Sequence, residues 1–297
     1  MKPSRTASLP LLLIAVLLTS ASPAVDNFSA RAVTIGLDSD AFAYVVDELG
    51  RELDPMASLK ELSAQISMAD FDAVLALASS IDAQIDTLSY FVLGDRMRAG
   101  GKNQYFIVDL GTGTTEMVDI EEGIVVVFTE EDRERMRSMR AGAGQPPGGV
   151  QDMIARARGL DTSKEPTLGE RGDTIIDGKR AKWFEYDAGT RYADILAVDD
   201  YDYLVNLFGR VKEMMAGMGE DEEDDVTDLV VAESGMFPWY SQEVWTSGFS
   251  PVPRFKATLF LTVEEGGATH ADVERPEYLE EMTFEQVMQR GPGRPRD

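Results

Sequence analysis

From Asp70 to Thr129 the apolar side chains come in five short runs, each closed by residues that favour a turn. Phe71, Ala73, Leu75 and Leu77 alternate with Asp72, Val74, Ala76 and Ala78; Leu88, Tyr90 and Val92 alternate with Thr87, Ser89, Phe91 and Leu93. Beyond the connector Gly94, Asp95, Arg96, Met97, Arg98 come Tyr105–Leu110, Thr115–Ile120 and Ile124–Thr129, separated by Gly111, Thr112, Gly113 and by Glu121, Glu122, Gly123. Alternation of this kind is the signature of strands, and glycine suits the tight turns between them. The spacing therefore predicts an antiparallel meander. Runs such as Ile124, Val125, Val126, Val127, Phe128 are apolar in both phases, so each face of the sheet needs a cover. Helices can cover one face, and a lipid chain is a candidate for the other.

The flanks complete the pattern. Residues 25–68 read as a helical N-terminal extension, with helices around Ala41–Leu53 and Ala57–Ile66 parted by Asp54 and Pro55. Thr129 and Asp132 form a capping box for a helix through Met139, followed by a glycine- and proline-bearing loop at Gly142–Gly149 and a helical stretch at Gln151–Arg158. Asp177 and Gly178 are the strongest hairpin signal, between Thr174–Ile176 and Lys179–Tyr186. A strand at Ile195–Val198 precedes Tyr203–Met218, whose apolar positions keep helical spacing. After an acidic linker at 219–225, Met236–Trp245, Arg254–Val263 and His270–Val273 read as extended, and Thr283 opens a last helix. The fold class is α+β: an antiparallel sheet at 69–289, covered by helices, with a disordered tail at 290–297.

The N-terminus changes the picture of where such a sheet works. Lys2 and Arg5 precede the apolar run Leu9–Leu18, and Ser22, Pro23, Ala24 supply small residues, which predicts a removable signal peptide at 1–24. The run is too short for a membrane span, so the expected location is periplasmic or secreted, with no membrane span after cleavage. With no cysteine there is no disulfide, thiolate metal site or lipid-modified N-terminus. The net charge of −25 argues against nucleic acid. Glu220–Asp225 lacks the spaced ligands and glycine of a calcium loop and reads as a solvated linker.

Catalytic chemistry finds little support in the residues. The single histidine, His270, has Asp272 two positions on but no serine in a glycine-flanked elbow, and one histidine is too few for a histidine-based zinc site. Val108–Thr115 resembles the first phosphate loop of the actin and heat-shock ATPase superfamily, but the further nucleotide motifs are lacking, and a hairpin turn is the simpler reading. No catalytic residue, metal site or cofactor is expected. Aromatic strand residues are chiefly core; if a groove exists, Leu88, Tyr90, Val92, Phe106, Val108, Trp183 and Trp239 line it, with Met214 and Met215 as its adaptable cover. Arg96 and Arg98 are expected to form salt bridges in so acidic a chain, or else to meet a carboxylate or phosphate headgroup.

The order FDAVLALAS, YFVLGDRMR, QYFIVDL, a glycine turn and EMVDIEEGIVVVF resembles the exported domain of unknown function family 4412. So do the hairpin Ile176–Phe184, the strand phrase ILAVDD and the helix phrase NLFGRVKEMM, while Ala181 stands where many members carry cysteine. That family is similar in plan to the periplasmic LolA and LolB lipoprotein carriers, whose half-barrel closes over an apolar groove. The resemblance implies that the sheet at 69–289 is a curved antiparallel half-barrel covered by helices, and that the partner is a lipid or lipoprotein. The expected function is a non-enzymatic exported protein binding an apolar ligand; the alternative is a structural or interaction domain with a self-filled core, and a third reading is an unrecognised hydrolase.

Overall fold

The computed structural model describes residues 27–54, 56–142, 164–201, 204–205, 226–246 and 253–290. The expected leader, the helix at Gln151–Arg158, the acidic linker and the tail beyond residue 290 lie outside these, as does Tyr203–Met218 apart from Leu204 and Val205.

Twelve strands form one open, curved sheet. They are β1 (Asn27–Leu37), β2 (Gln84–Leu93), β3 (Arg96–Gly100), β4 (Gln104–Asp109), β5 (Thr114–Asp119), β6 (Ile124–Phe128), β7 (Thr167–Ile176), β8 (Lys179–Asp187), β9 (Arg191–Val198), β10 (Phe237–Trp245), β11 (Arg254–Glu265) and β12 (Glu280–Thr283). The order across the sheet is β12-β6-β5-β4-β3-β2-β1-β11-β10-β9-β8-β7, antiparallel throughout except for the β12–β6 pair. The α-helices among the described residues are α1 (Ser39–Glu48), α2 (Leu59–Ser63), α3 (Phe71–Ser80), α4 (Glu130–Gly142), α5 (Val226–Ser234) and α6 (Phe284–Arg290).

Several expectations are met. The β2–β6 meander is present, Thr129 and Asp132 cap α4 reciprocally, and Asp177 and Gly178 turn the β7–β8 hairpin with φ of 49° and 79°, the left-handed pair that a two-residue hairpin demands. Others are corrected. Phe71–Ser80 is a helix, not the first strand of the meander; Phe71, Val74 and Ala78 face the core at helical spacing, and a run apolar in both phases fits either period. The arginine connector is a turn followed by β3. His270–Asp272 is a single 3-10 turn, not extended, because Asp272 accepts from the N–H and Oγ1 of Thr269. The segment read as a purely helical extension opens with β1, which pairs with both β2 and β11 in the middle of the sheet. Ala and Arg interrupt the alternation of β1, which hid it.

Helices divide the two faces unequally. On the face of Ile35 and Leu37, α1 stacks Phe42 on Phe255 (5.4 Å) and Phe71, which begins α3, meets Tyr240 edge-on (6.3 Å). On the opposite face α4 and α6 cover one end, with Phe128 against Phe284 (5.7 Å). At the other end of that face α5 packs Val226 and Val230 on Phe184, Ile195 and Ala197.

Candidate ligand-binding face

Between the areas under α4 with α6 and under α5, strand register sets two rows of apolar side chains side by side. One row runs Phe28, Val92, Met97, Val108 across β1 to β4, and all four are at most 3 % exposed. The next runs Val263, Ala30, Tyr90, Ala99, Phe106, Met117 from β11 to β5; apart from Ala30 its members are only half-buried. Two residues along a strand return to the same face, so Leu88, Tyr90 and Val92 point together, and antiparallel pairing brings Phe106 and Val108 to the same side. Five of the residues expected to line a groove are thus collected on one face.

The remaining candidates part company. Trp183 lies on the helix-covered face, edge-on to Tyr240 at 6.2 Å. Trp239 stacks on Tyr201 (6.2 Å, 10°), and ring contacts run on through Phe237 and Phe260 (4.8 Å) to Tyr90 (5.7 Å). Met214 and Met215 fall outside the described residues.

A buried polar cluster went unpredicted. Asp194, Ser63, Gln242 and Tyr192 are each less than a tenth exposed. The Gln242 amide donates to the Ser63 carbonyl (3.1 Å) and hydroxyl (2.9 Å), and the Ser63 and Tyr192 hydroxyls donate to Asp194 (both 3.2 Å). Arg171 pairs with the same carboxylate. Desolvation, with the Asp194 charge, pushes both the Tyr192 and Tyr240 phenols up, so they stay protonated donors. The cluster fastens α2 to β9 and β10, since each buried polar atom needs a partner. Its one sequence signal is Asp194 inside the apolar phrase Tyr192–Val198. Beside it, at the β7–β8 edge, lies an open depression of about 240 Å³ between Leu168, Glu170, Arg171, Glu185 and Asp187, whose charges are already paired: Lys60 holds Glu185 (2.7 Å) and Lys182 holds Glu170 (2.9 Å).

His270 is exposed and Asp272 is spent on the Thr269 cap. Gly111–Gly113 form the β4–β5 hairpin turn, in which Asp109 accepts from the N–H groups of Gly111 (3.0 Å) and Thr112 (2.9 Å). No cluster of metal-ligating side chains occurs among the described residues, and no described helix is long and apolar enough to cross a membrane.

No family model matches the chain, family 4412 included, and no curated protein matches it. Solved structures do match. Two crystal forms of PNGF-II give TM-scores of 0.34 and 0.33 at 5 % and 4 % identity over 89 % of this chain, which spans about a third of theirs (33 % and 32 %). A "putative outer membrane lipoprotein-sorting protein domain from Vibrio parahaemolyticus" matches at TM-score 0.22 and 7 % identity, over 89 % of this chain and 95 % of that one.

Proposed function

We propose that this protein works outside the cytoplasm without catalysis, receiving an apolar or lipid-like molecule on the sheet face of Tyr90 and Phe106. The observation that carries the reading is the half-buried row Val263, Tyr90, Ala99, Phe106, Met117, which crosses the sheet between two helix-covered ends. Removing such side chains from water contributes roughly 25 cal/mol per Å², and an acyl chain laid along the row gains from every strand it crosses.

A second reading has its own support. Val92 and Val108 are already buried by the chain, and the rings from Trp239 to Tyr90 fill space with one another, as in an interaction domain with a self-filled core.

Protein purified without detergent and extracted with organic solvent distinguishes the two. The carrier reading expects a co-purifying lipid in the mass spectrum, lost in a folded Phe106→Ser variant. An empty extract from wild-type protein, with no uptake of an added fluorescent fatty acid, overturns it in favour of the self-filled domain.

A further inference from the structure

The face opposite the apolar row holds a different chemistry. Arg96 and Arg98 both point there from β3, since Met97 and Ala99 between and beyond them take the other side. Salt bridges are the expectation in a chain of 28 basic and 53 acidic residues. Arginines elsewhere follow it: Arg51, Arg133 and Arg191 each hold a carboxylate. Among the described residues Arg96 and Arg98, only partly exposed, make neither an ion pair nor a side-chain hydrogen bond, and the Nε of each is buried without a partner there. A buried charged donor left so is costly and calls for a ligand or ordered water.

The nearby carboxylates form no ion pair with either arginine: the Asp109 carboxyl is held below its usual range first by its turn hydrogen bonds and only last by the Arg96 charge. Asp109, opposite Arg96, accepts from the β4–β5 turn; Glu116, in the same cross-strand row as Arg98, faces Arg275 at 3.8 Å. The Arg98 guanidinium lies 3.7 Å above the Tyr105 ring. Stacking of that kind fixes the plane of the fork and leaves its N–H edges for an in-plane acceptor. On β1 the exposed Arg31 shares this face, opposite Ser89, itself opposite Gly100. Strand spacing puts Arg31 and Arg98 about 12 Å apart at Cα, close enough for both side chains to reach one bound group.

We infer that the face of β1 to β3 bearing Arg31, Arg96 and Arg98 is a binding site for a phosphate group, presented by a small molecule or by a lipid headgroup. Phosphate fits better than a carboxylate because a dianion with three acceptor oxygens satisfies more than one planar fork. The site is on the opposite side of the sheet from Phe106, so it stands or falls independently of the apolar reading.

Calorimetric titration of the whole protein with inorganic phosphate in chloride buffer tests it. Saturable binding is expected, weakened about tenfold in Arg98→Gln, the loss of one charge-assisted hydrogen-bonding group, and unchanged in the charge-matched control Lys256→Gln on β11. Absence of wild-type binding, or an equal loss in the control, overturns the site. A second measurement needs no variant: phosphate at ten times its dissociation constant should slow phenylglyoxal modification of Arg96 and Arg98 about tenfold relative to Arg254, and no selective protection refutes the assignment. Sedimentation with vesicles of phosphatidate in phosphatidylcholine, lost in Arg98→Gln, assigns the phosphate to a lipid headgroup; binding of inorganic phosphate alone assigns it to a soluble ligand.

Discussion

Asp70 shows how much a single side chain is asked to do. Its carboxylate takes both forks of Arg51 (2.8 and 2.9 Å) and the N–H and hydroxyl of Ser67 (2.8 Å each), tying the end of α1 to the start of α3. The Arg51 hydrogen bonds, reinforced by Ser67, hold its pKa down to about 2 from an ordinary 3.8. A depressed carboxylate contributes stability that is full above the unfolded pKa and lost as pH falls through the folded one. Asp70→Asn should therefore cost about 1 kcal/mol near neutrality, discounted for the partial exposure of Arg51, and urea melts of variant and wild type should converge between pH 4 and pH 2. Arg133 is the stronger case: 1 % exposed, it donates to the Gly113 carbonyl (2.6 Å) and Thr115 (3.3 Å) from α4. Arg133→Ala strips a partner from the buried Thr115 hydroxyl and from the half-buried Gly113 carbonyl, and equilibrium unfolding should show a loss of about 3 kcal/mol.

Turns govern the elements. Gly100 closes β3 at φ 138°, and a Cβ there would sit 2.7 Å from the Tyr105 Cα and 2.8 Å from the Gln104 carbonyl. Gly178 also has positive φ, but with open space around it. Gly100→Ala should thus destabilise by more than about 2 kcal/mol, and Gly178→Ala by about 1 kcal/mol from the left-handed backbone alone, an order that paired thermal melts would reverse if sterics at β3–β4 were relaxed. The hairpins were legible because turn chemistry is local: Asp177 and Gly178, and the glycines of the meander, need only their own backbone angles. Phe71–Ser80 was not. Its apolar residues satisfy period two and period 3.6 at once, and its alanines and leucines, with Val74 as the one β-branched apolar residue, tip the balance to helix.

At the scale of the molecule, β1 joins the two halves of the sheet, β2 to β6 on one side and β11 to β7 on the other. A chain beginning at Ala69 loses that strand together with α1 and α2. It should show no cooperative unfolding by circular dichroism; a folded truncate would mean that the β2 and β11 edges can meet without β1. The same architecture explains the division of the faces. Among the described residues helices follow the strands at the N-terminus and at both ends of the sheet, so the described helices cover one face at its centre and the other at its flanks.

Local chemistry determined the strands of the meander, the Asp177–Gly178 hairpin, the α4 cap and the shared facing of Leu88, Tyr90 and Val92, because period and turn preference are set by residues within a few positions of one another. Tertiary pairing decided the rest. That Asn27–Leu37 is a central strand depends on β2 and β11, partners about fifty and more than two hundred residues away in the chain. It also decided that Trp183 turns from the apolar row, that Asp194 finds Ser63, and that Arg96 and Arg98 form no ion pair among the described residues: which side chains meet across a sheet is fixed by strand order and register, and neither is written within any one strand.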